Sequence, residues 1–161
     1  MYVMKTLLTL SFALWLPLLA FGQDDSFMRL YEKYSGRDGF TTVEMSGMML
    51  RAFNAAGSDV SGIPALDNVD RLVIIISEGE DERFAEDVGR MLREGGYTSA
   101  SIVRDGTQSV EFFIKEQDGL TAELILNVRD GHDAQVVMLL AGHDLSITQI
   151  SGIAGAGIAL P

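Results

Sequence analysis

The sequence predicts an α+β fold. It is a two-layer sandwich in which a mainly antiparallel sheet, ending in a C-terminal four-strand meander, carries its helices on one face. Three observations predict it. After residue 96 the apolar residues recur at a period of two, whereas the longer segments before it carry them at helical spacing. Asp105-Gly106, Asp118-Gly119 and Asp130-Gly131 punctuate the second half as hairpin turns. Strands and helices also cluster by type there, as they do when helices cover one side of an antiparallel sheet.

The elements follow in order. Residues 24–36, "DDSFMRLYEKYSG", form a helix that Asp25 or Ser26 caps, with Phe27, Leu30, Tyr31 and Tyr34 on one side. "FTTVEMS" (40–46) is a short strand. "GMMLRAFNAAG" (47–57) is a helix with Met49, Leu50 and Phe53 together and Gly57 as its stop. A loop covers 58–68. "VDRLVIIIS" (69–77) is a nearly continuous apolar run, which suits a strand buried on both faces. "EDERFAEDVGRMLREGG" (80–96) is a helix with the stripe Phe84, Val88, Met91 and Leu92. Its acids lead and Arg90 and Arg93 trail, as the helix dipole favours. Residues 97–104, 109–116, 120–128 and 135–141 are the strands of the meander, and a short helix follows near 145–154.

Parity fixes an expectation for one hairpin. The apolar set Val110, Phe112 and Ile114 must share a face with Ala122, Leu124, Leu126 and Val128. A two-residue turn at Asp118-Gly119 pairs even positions with odd ones. A three-residue loop, Gln117-Asp118-Gly119, pairs Ile114 with Ala122, Phe112 with Leu124 and Val110 with Leu126. That loop needs a left-handed third residue, which Gly119 supplies.

Residues 1–22 read as a signal peptide, with Lys5 in the n-region, an apolar core from Leu7 to Phe21, and Ala20 and Gly22 before a cut at Gln23. Residues 23–161 are then a single α+β domain with no further segment able to span a membrane. The formal charge is −11, and losing Lys5 with the leader makes it −12. Such acidity disfavours nucleic acid and anionic lipid as partners. The chain has no cysteine, which excludes thiol catalysis, cysteine-ligated metals, disulfides and a lipoprotein anchor.

The segments "FMRLYEKYSG", "FTTVEMSGMML", "LDNVDRLVIII", "VEFFIKEQDGLTAELILNV" and "VVMLLAGHDLSITQIS" occur in this order. In them the chain resembles the bacterial domain-of-unknown-function family 4252, small exported proteins of Gram-negative envelopes. The likeness spans nearly all of residues 23–161. It implies a location, periplasmic or otherwise exported, and it supports the fold. It brings no activity and no catalytic residue with it, because the matching segments are patterning motifs.

The chemistry-bearing residues do not assemble into a site along the sequence. The only two histidines lie in two copies of "GHD", at 131–133 and 142–144. His132 and Asp133 flank one end of a strand and His143 and Asp144 the other. Eleven extended residues span roughly 35 Å, so the pairs cannot share an ion. Met45, Met48 and Met49 read as core packing rather than a thioether copper site. Glu78, Glu80, Asp81, Glu82, Glu86 and Asp87 read as a solvated helix start, because the calcium-loop spacing is missing. No serine lies in a nucleophile elbow. No catalytic, cofactor-binding or metal residue is therefore assigned, and no cofactor. In "AGHDL", Gly142 loosens the chain as it leaves the sheet and Asp144 is expected to cap the last helix.

Two functions stay open. One is a non-catalytic exported envelope protein that binds a protein partner as an adaptor or sensor accessory. The other is a small-ligand binder or enzyme whose site forms in a cleft between helices and sheet. An open sheet edge or broad apolar patch marks the first, a deep pocket lined by ordered polar side chains the second.

Overall fold

The computed structural model describes residues 25–56, 66–131 and 133–155. The expected leader, the cut before Gln23, Gly57, most of the 58–68 loop, His132 and the tail from residue 156 lie outside the described residues. Within them run α1 (Ser26–Tyr34), β1 (Phe40–Ser46), α2 (Gly47–Ala55), β2 (Val69–Ser77), α3 (Glu82–Glu94), β3 (Thr98–Asp105), β4 (Gln108–Gln117), β5 (Leu120–Asp130), β6 (Ala134–Gly142) and α4 (Ile147–Gly155).

Three helices begin where a short polar side chain accepts a free amide of the first turn. Asp25 accepts from Met28 N at 3.1 Å, Ser46 from Met49 N at 3.3 Å and Asp81 from Phe84 N at 2.9 Å. The six strands form one antiparallel sheet in the order β1-β2-β6-β5-β4-β3. The α+β class and the C-terminal meander, β3 to β6, are as the sequence predicts.

The helical layers differ from that prediction. On one face α1 and α3 cover Val73, Ile75, Val137, Leu139 and Ile125 with Phe27, Leu30, Tyr34, Phe84, Val88 and Met91. On the opposite face Leu50 of α2 and Ile150 and Ile153 of α4 pack with Leu72, Ile74, Met138, Leu140, Leu124 and Leu126. Helices therefore lie on both faces. The reason is in β2 and β6: both parities of each strand are apolar, so water must be kept from both sides.

The hairpin between β4 and β5 also has its own register. Phe112 lies opposite Leu126 and Ile114 opposite Leu124, two residues from the expected pairing. Gln117 pairs with Leu120, so the turn is the two-residue one, with Asp118 at φ 55° and Gly119 at φ 79°. Parity is restored by an irregularity between Lys115 and Glu116, where Lys115 pairs with Glu123 and Glu116 with Thr121, leaving Ala122 extra. The apolar sets still share a face, and Gly119 still occupies the left-handed position.

Asp87 ties α1 to α3. Its residue is only 7% exposed, and it accepts from Lys33 Nζ at 2.6 Å and Tyr34 OH at 2.7 Å and pairs with Arg90 at 3.1 Å. The Tyr34 ring in turn packs at a tilt against Phe40, with centroids 4.6 Å apart, and edge-on against Phe84 at 4.8 Å. Burial pushes the Asp87 carboxyl up, but the bonds from Lys33 and Tyr34 and the charges of Lys33 and Arg90 outweigh it. The net pKa lies below the ordinary carboxylate value. Burial and the bond to Asp87 raise the Tyr34 hydroxyl, so Tyr34 stays a donor.

A depressed carboxyl contributes stability that is present above its unfolded value and lost as pH falls through its folded value. Thermal melts should therefore weaken in acid below the usual carboxylate range. Asp87→Ala, which leaves Tyr34 OH without its acceptor, should cost about 2 kcal/mol at neutral pH. Its melting midpoint should also depend less on acid than that of the wild-type protein. In the β4–β5 turn, Gly119→Val should cost about 1 kcal/mol or more by denaturant titration, because a β-branched residue resists positive φ.

Candidate functional site

One row of side chains crosses the sheet on the α2/α4 face. Register places Val103 of β3 opposite Val110, Val110 opposite Val128, Val128 opposite Val136 and Val136 opposite Ile76. β-branched residues pack well on a pleated surface, so strands that alternate Val with polar residues line up this way. Toward the sheet centre the row is covered: Ile76 is buried, and Val110, Val128 and Val136 are half-buried against the core. At the outer strand it is not. Val103 is 56% exposed.

β3 is one of the two edge strands and, among the described residues, pairs with β4 alone. Every one of its eight residues, Thr98 to Asp105, is exposed. An edge strand presents alternate backbone donors and acceptors without partners, the template used in strand addition. The strand pairs irregularly between Ser99 and Ser101, where Ala100 is the extra residue, and regularly from Ser101 to Asp105. Its charges sit at one end: Arg104, paired at 4.0 Å with Glu111, and Asp105. Elsewhere α2 exposes Met48, Met49 and Phe53.

The family described as Domain of unknown function (DUF4252) matches residues 31–153, from within α1 to within α4. The chain belongs to this family. No curated protein and no solved structure matches it. The family's matched span therefore contains the whole sheet, and with it the valine row and the β3 edge.

Among the described residues of this DUF4252 domain, clefts with polar side chains include two of note. One, of about 360 Å³, is lined by Asp25, Asp70, Lys115, Glu116, Glu123 and Gly142 among others. At it Tyr97 OH donates to Glu123 and Lys115 Nζ lies 3.8 Å from Glu123 and 5.3 Å from the Tyr97 ring centre. Burial raises the Tyr97 hydroxyl, and the Glu123 bond raises it further. A neutral phenol locked to a carboxylate that also meets a lysine satisfies its own charges, as a strut between β5, β4 and the α3–β3 turn does. The other cleft, of about 280 Å³, lies between the start of α3 and the β5–β6 hairpin, with Glu82, Glu86, Arg129 and Gln135. Beneath it Gln135 Nε2 donates to Asn127 at 2.9 Å and Asn127 Nδ2 to Glu111 at 3.1 Å, a ladder that fastens β6, β5 and β4.

The residues singled out in the sequence fall apart in space. Asp133 and the pair His143–Asp144 lie at opposite ends of β6. Among the described residues no group of three His, Asp or Glu side chains is placed to hold a metal ion. Met45 packs against the core, but Met48 and Met49 are exposed, and Phe53 with them. The α2 helix is short and packs mainly on β1 and β2, with Gly47 and Leu50 as its buried residues. Asp87 is buried rather than solvated, as described above.

Asp144 does not cap α4. It lies three residues before Ile147, at φ 52°, and the helix starts instead with Ser146 and Gln149. Gln149 Oε1 accepts from Ser146 N at 2.9 Å, one half of a Ser-x-x-Gln capping box that the sequence carried in plain sight. Asn68, just before β2, is the residue that sequence reasoning missed. Its Nδ2 donates to the carbonyls of His143 at 2.8 Å and Asp144 at 2.9 Å, and its Oδ1 accepts from the buried Gln149 at 2.7 Å. The Asn68 carbonyl accepts from His143 N at 3.0 Å. Gly142 is required by the same approach: a Cβ there would lie 2.1 Å from the Asn68 carbonyl oxygen. "AGHDL" is thus the segment that Asn68 clamps.

Asn68→Ala removes three side-chain bonds, two to the His143 and Asp144 carbonyls and one from Gln149. It should cost about 2 kcal/mol by denaturant titration. Asp144→Gly should cost nothing, since glycine accepts positive φ freely. The opposite order would restore Asp144 as the cap.

Proposed function

We propose that this protein is a non-catalytic, exported component of the cell envelope that works by binding a protein partner. The observation that carries the reading is the β3 edge, exposed along all eight residues and joined to an apolar row. Extended-chain addition to such an edge gives affinity through backbone bonds, and Val103 and Ile102 give it side-chain contacts. The leader-like residues 1–22 support export, and the acidic surface favours a protein over nucleic acid or anionic membrane. The alternative is a small-ligand site or enzyme centred on the cleft of Tyr97, Glu123 and Lys115. It is disfavoured because those three groups are already paired with one another.

Two measurements on intact cells test this reading. The mature chain recovered from envelope fractions should start at Gln23 by N-terminal mass spectrometry. A photo-crosslinking residue at position 103 should capture protein in the envelope, whereas one at exposed Glu32 on α1 should not. A chain that retains Met1 in the cytoplasm would remove the export half. Crosslinks that are absent at 103 would remove the partner half.

A further inference from the structure

We propose that the β3 edge is completed by β3 of a second copy of this chain, with Val103 on the two-fold axis. This rests on the reading of β3 as a protein-binding edge and names its occupant.

The register follows from the strand itself. The irregularity at Ala100 breaks the ladder, so only Ser101 to Asp105 offer a regular edge. Antiparallel self-pairing over that stretch has one centred register. It sets Val103 against the second Val103, Ile102 against the second Arg104 and Ser101 against the second Asp105. Side-chain faces agree throughout. Ser101, Val103 and Asp105 share the valine-row face, while Ile102 and Arg104 share the other, with Glu111. Shifting the centre to Ile102 puts Arg104 against the irregular Ala100, and one further step spans the break.

The pairing matches chemistry as well as parity. Two exposed apolar residues, Ile102 at 49% and Val103 at 56%, are covered, the first by the aliphatic stem of Arg104. The Ser101 hydroxyl meets the Asp105 carboxylate. No like charges stand directly opposite, which is the arrangement that destabilises a strand pair. The nearest like pair, the two Arg104 side chains, is diagonal, and each has its own Glu111. A two-fold axis normal to the sheet keeps the valine faces on one side. The row Ile76, Val136, Val128, Val110 and Val103 then continues through its copy across a doubled sheet, instead of ending at a half-exposed valine.

The absence of native cysteine makes the test clean. Directly opposed residues in an antiparallel pair have Cα atoms about 4.5–5.5 Å apart, within disulfide reach. In the purified chain, Val103→Cys should give a disulfide-linked dimer on mild oxidation. Ile102→Cys, whose two copies are diagonal, should give far less. By sedimentation the wild-type chain should approach twice the mass of a single chain as concentration rises. Val103→Lys, which faces like charges on the axis, should weaken that association about tenfold or more while keeping the melting midpoint. Equal crosslinking at 102 and 103, or a wild-type chain that stays single at every concentration, overturns the pairing. If the chain stays single yet position 103 still crosslinks another envelope protein, self-pairing fails and the partner-binding reading stands. If position 103 crosslinks nothing, both fail.

Discussion

The architecture depends on two strands that are apolar on both faces. Val73 and Ile75 of β2 and Val137 and Leu139 of β6 point one way, and Leu72, Ile74, Met138 and Leu140 point the other. Each such side chain removed from water is worth about 1.5–3 kcal/mol, so neither side can be left wet. β2 and β6 therefore sit inside the sheet, flanked by β1 and β5, with cover on both sides. The cover is unequal. α1 and α3 bring three fully buried aromatic residues, Phe27, Tyr34 and Phe84, and lock together through Asp87. α2 and α4 bring mainly Leu50, Ile150 and Ile153. The thinner side is where the valine row runs out to the edge.

That unequal cover explains what could be read in the sequence. Helices α1 and α3 carry regular stripes, and those stripes give their positions and buried residues without reference to anything distant. The strand at 69–77 also reads as buried on both faces. Carried through, that reading alone requires a second layer, which the clustering of strands in the second half of the chain obscures. The β4–β5 hairpin shows the limit of parity. Parity demands an odd correction to a two-residue turn, and either a longer loop or a bulge supplies one. Asp118 tolerates positive φ, so the turn stays at two residues and the bulge falls at Ala122.

Contacts between distant segments were out of reach. Asn68 lies 75 residues from His143 and holds its carbonyl, and nothing local in "LDNVD" marks it as a clamp. The Asp144 cap was attractive because local rules favour aspartate there. Ser146 and Gln149 satisfied the same rule two residues later, and the Asn68 clamp uses the backbone of Asp144 rather than its carboxylate. The candidate surface is further still from the sequence. β3 reads as polar and unremarkable, "TSASIVRD", and Val103 acquires meaning only when the registers of four strand pairs are laid end to end.

Open edges are hazardous, and natural sheets blunt them with bulges and charges. β3 has both, the irregularity at Ala100 and the Arg104–Asp105 end. Neither closes the edge. The bulge shortens the regular ladder to five residues and thereby removes the alternative registers that a long flat strand would permit. The charges lie off centre, where an antiparallel copy meets them with serine and isoleucine rather than with like charge. A device that lowers promiscuity at an edge thus raises selectivity for one geometry. The chain's formal net charge of −11 acts in the same direction. It opposes nonspecific approach of one copy to another, so whatever pairs here must gain its stability from the valine row and the backbone ladder, which only a matched register aligns.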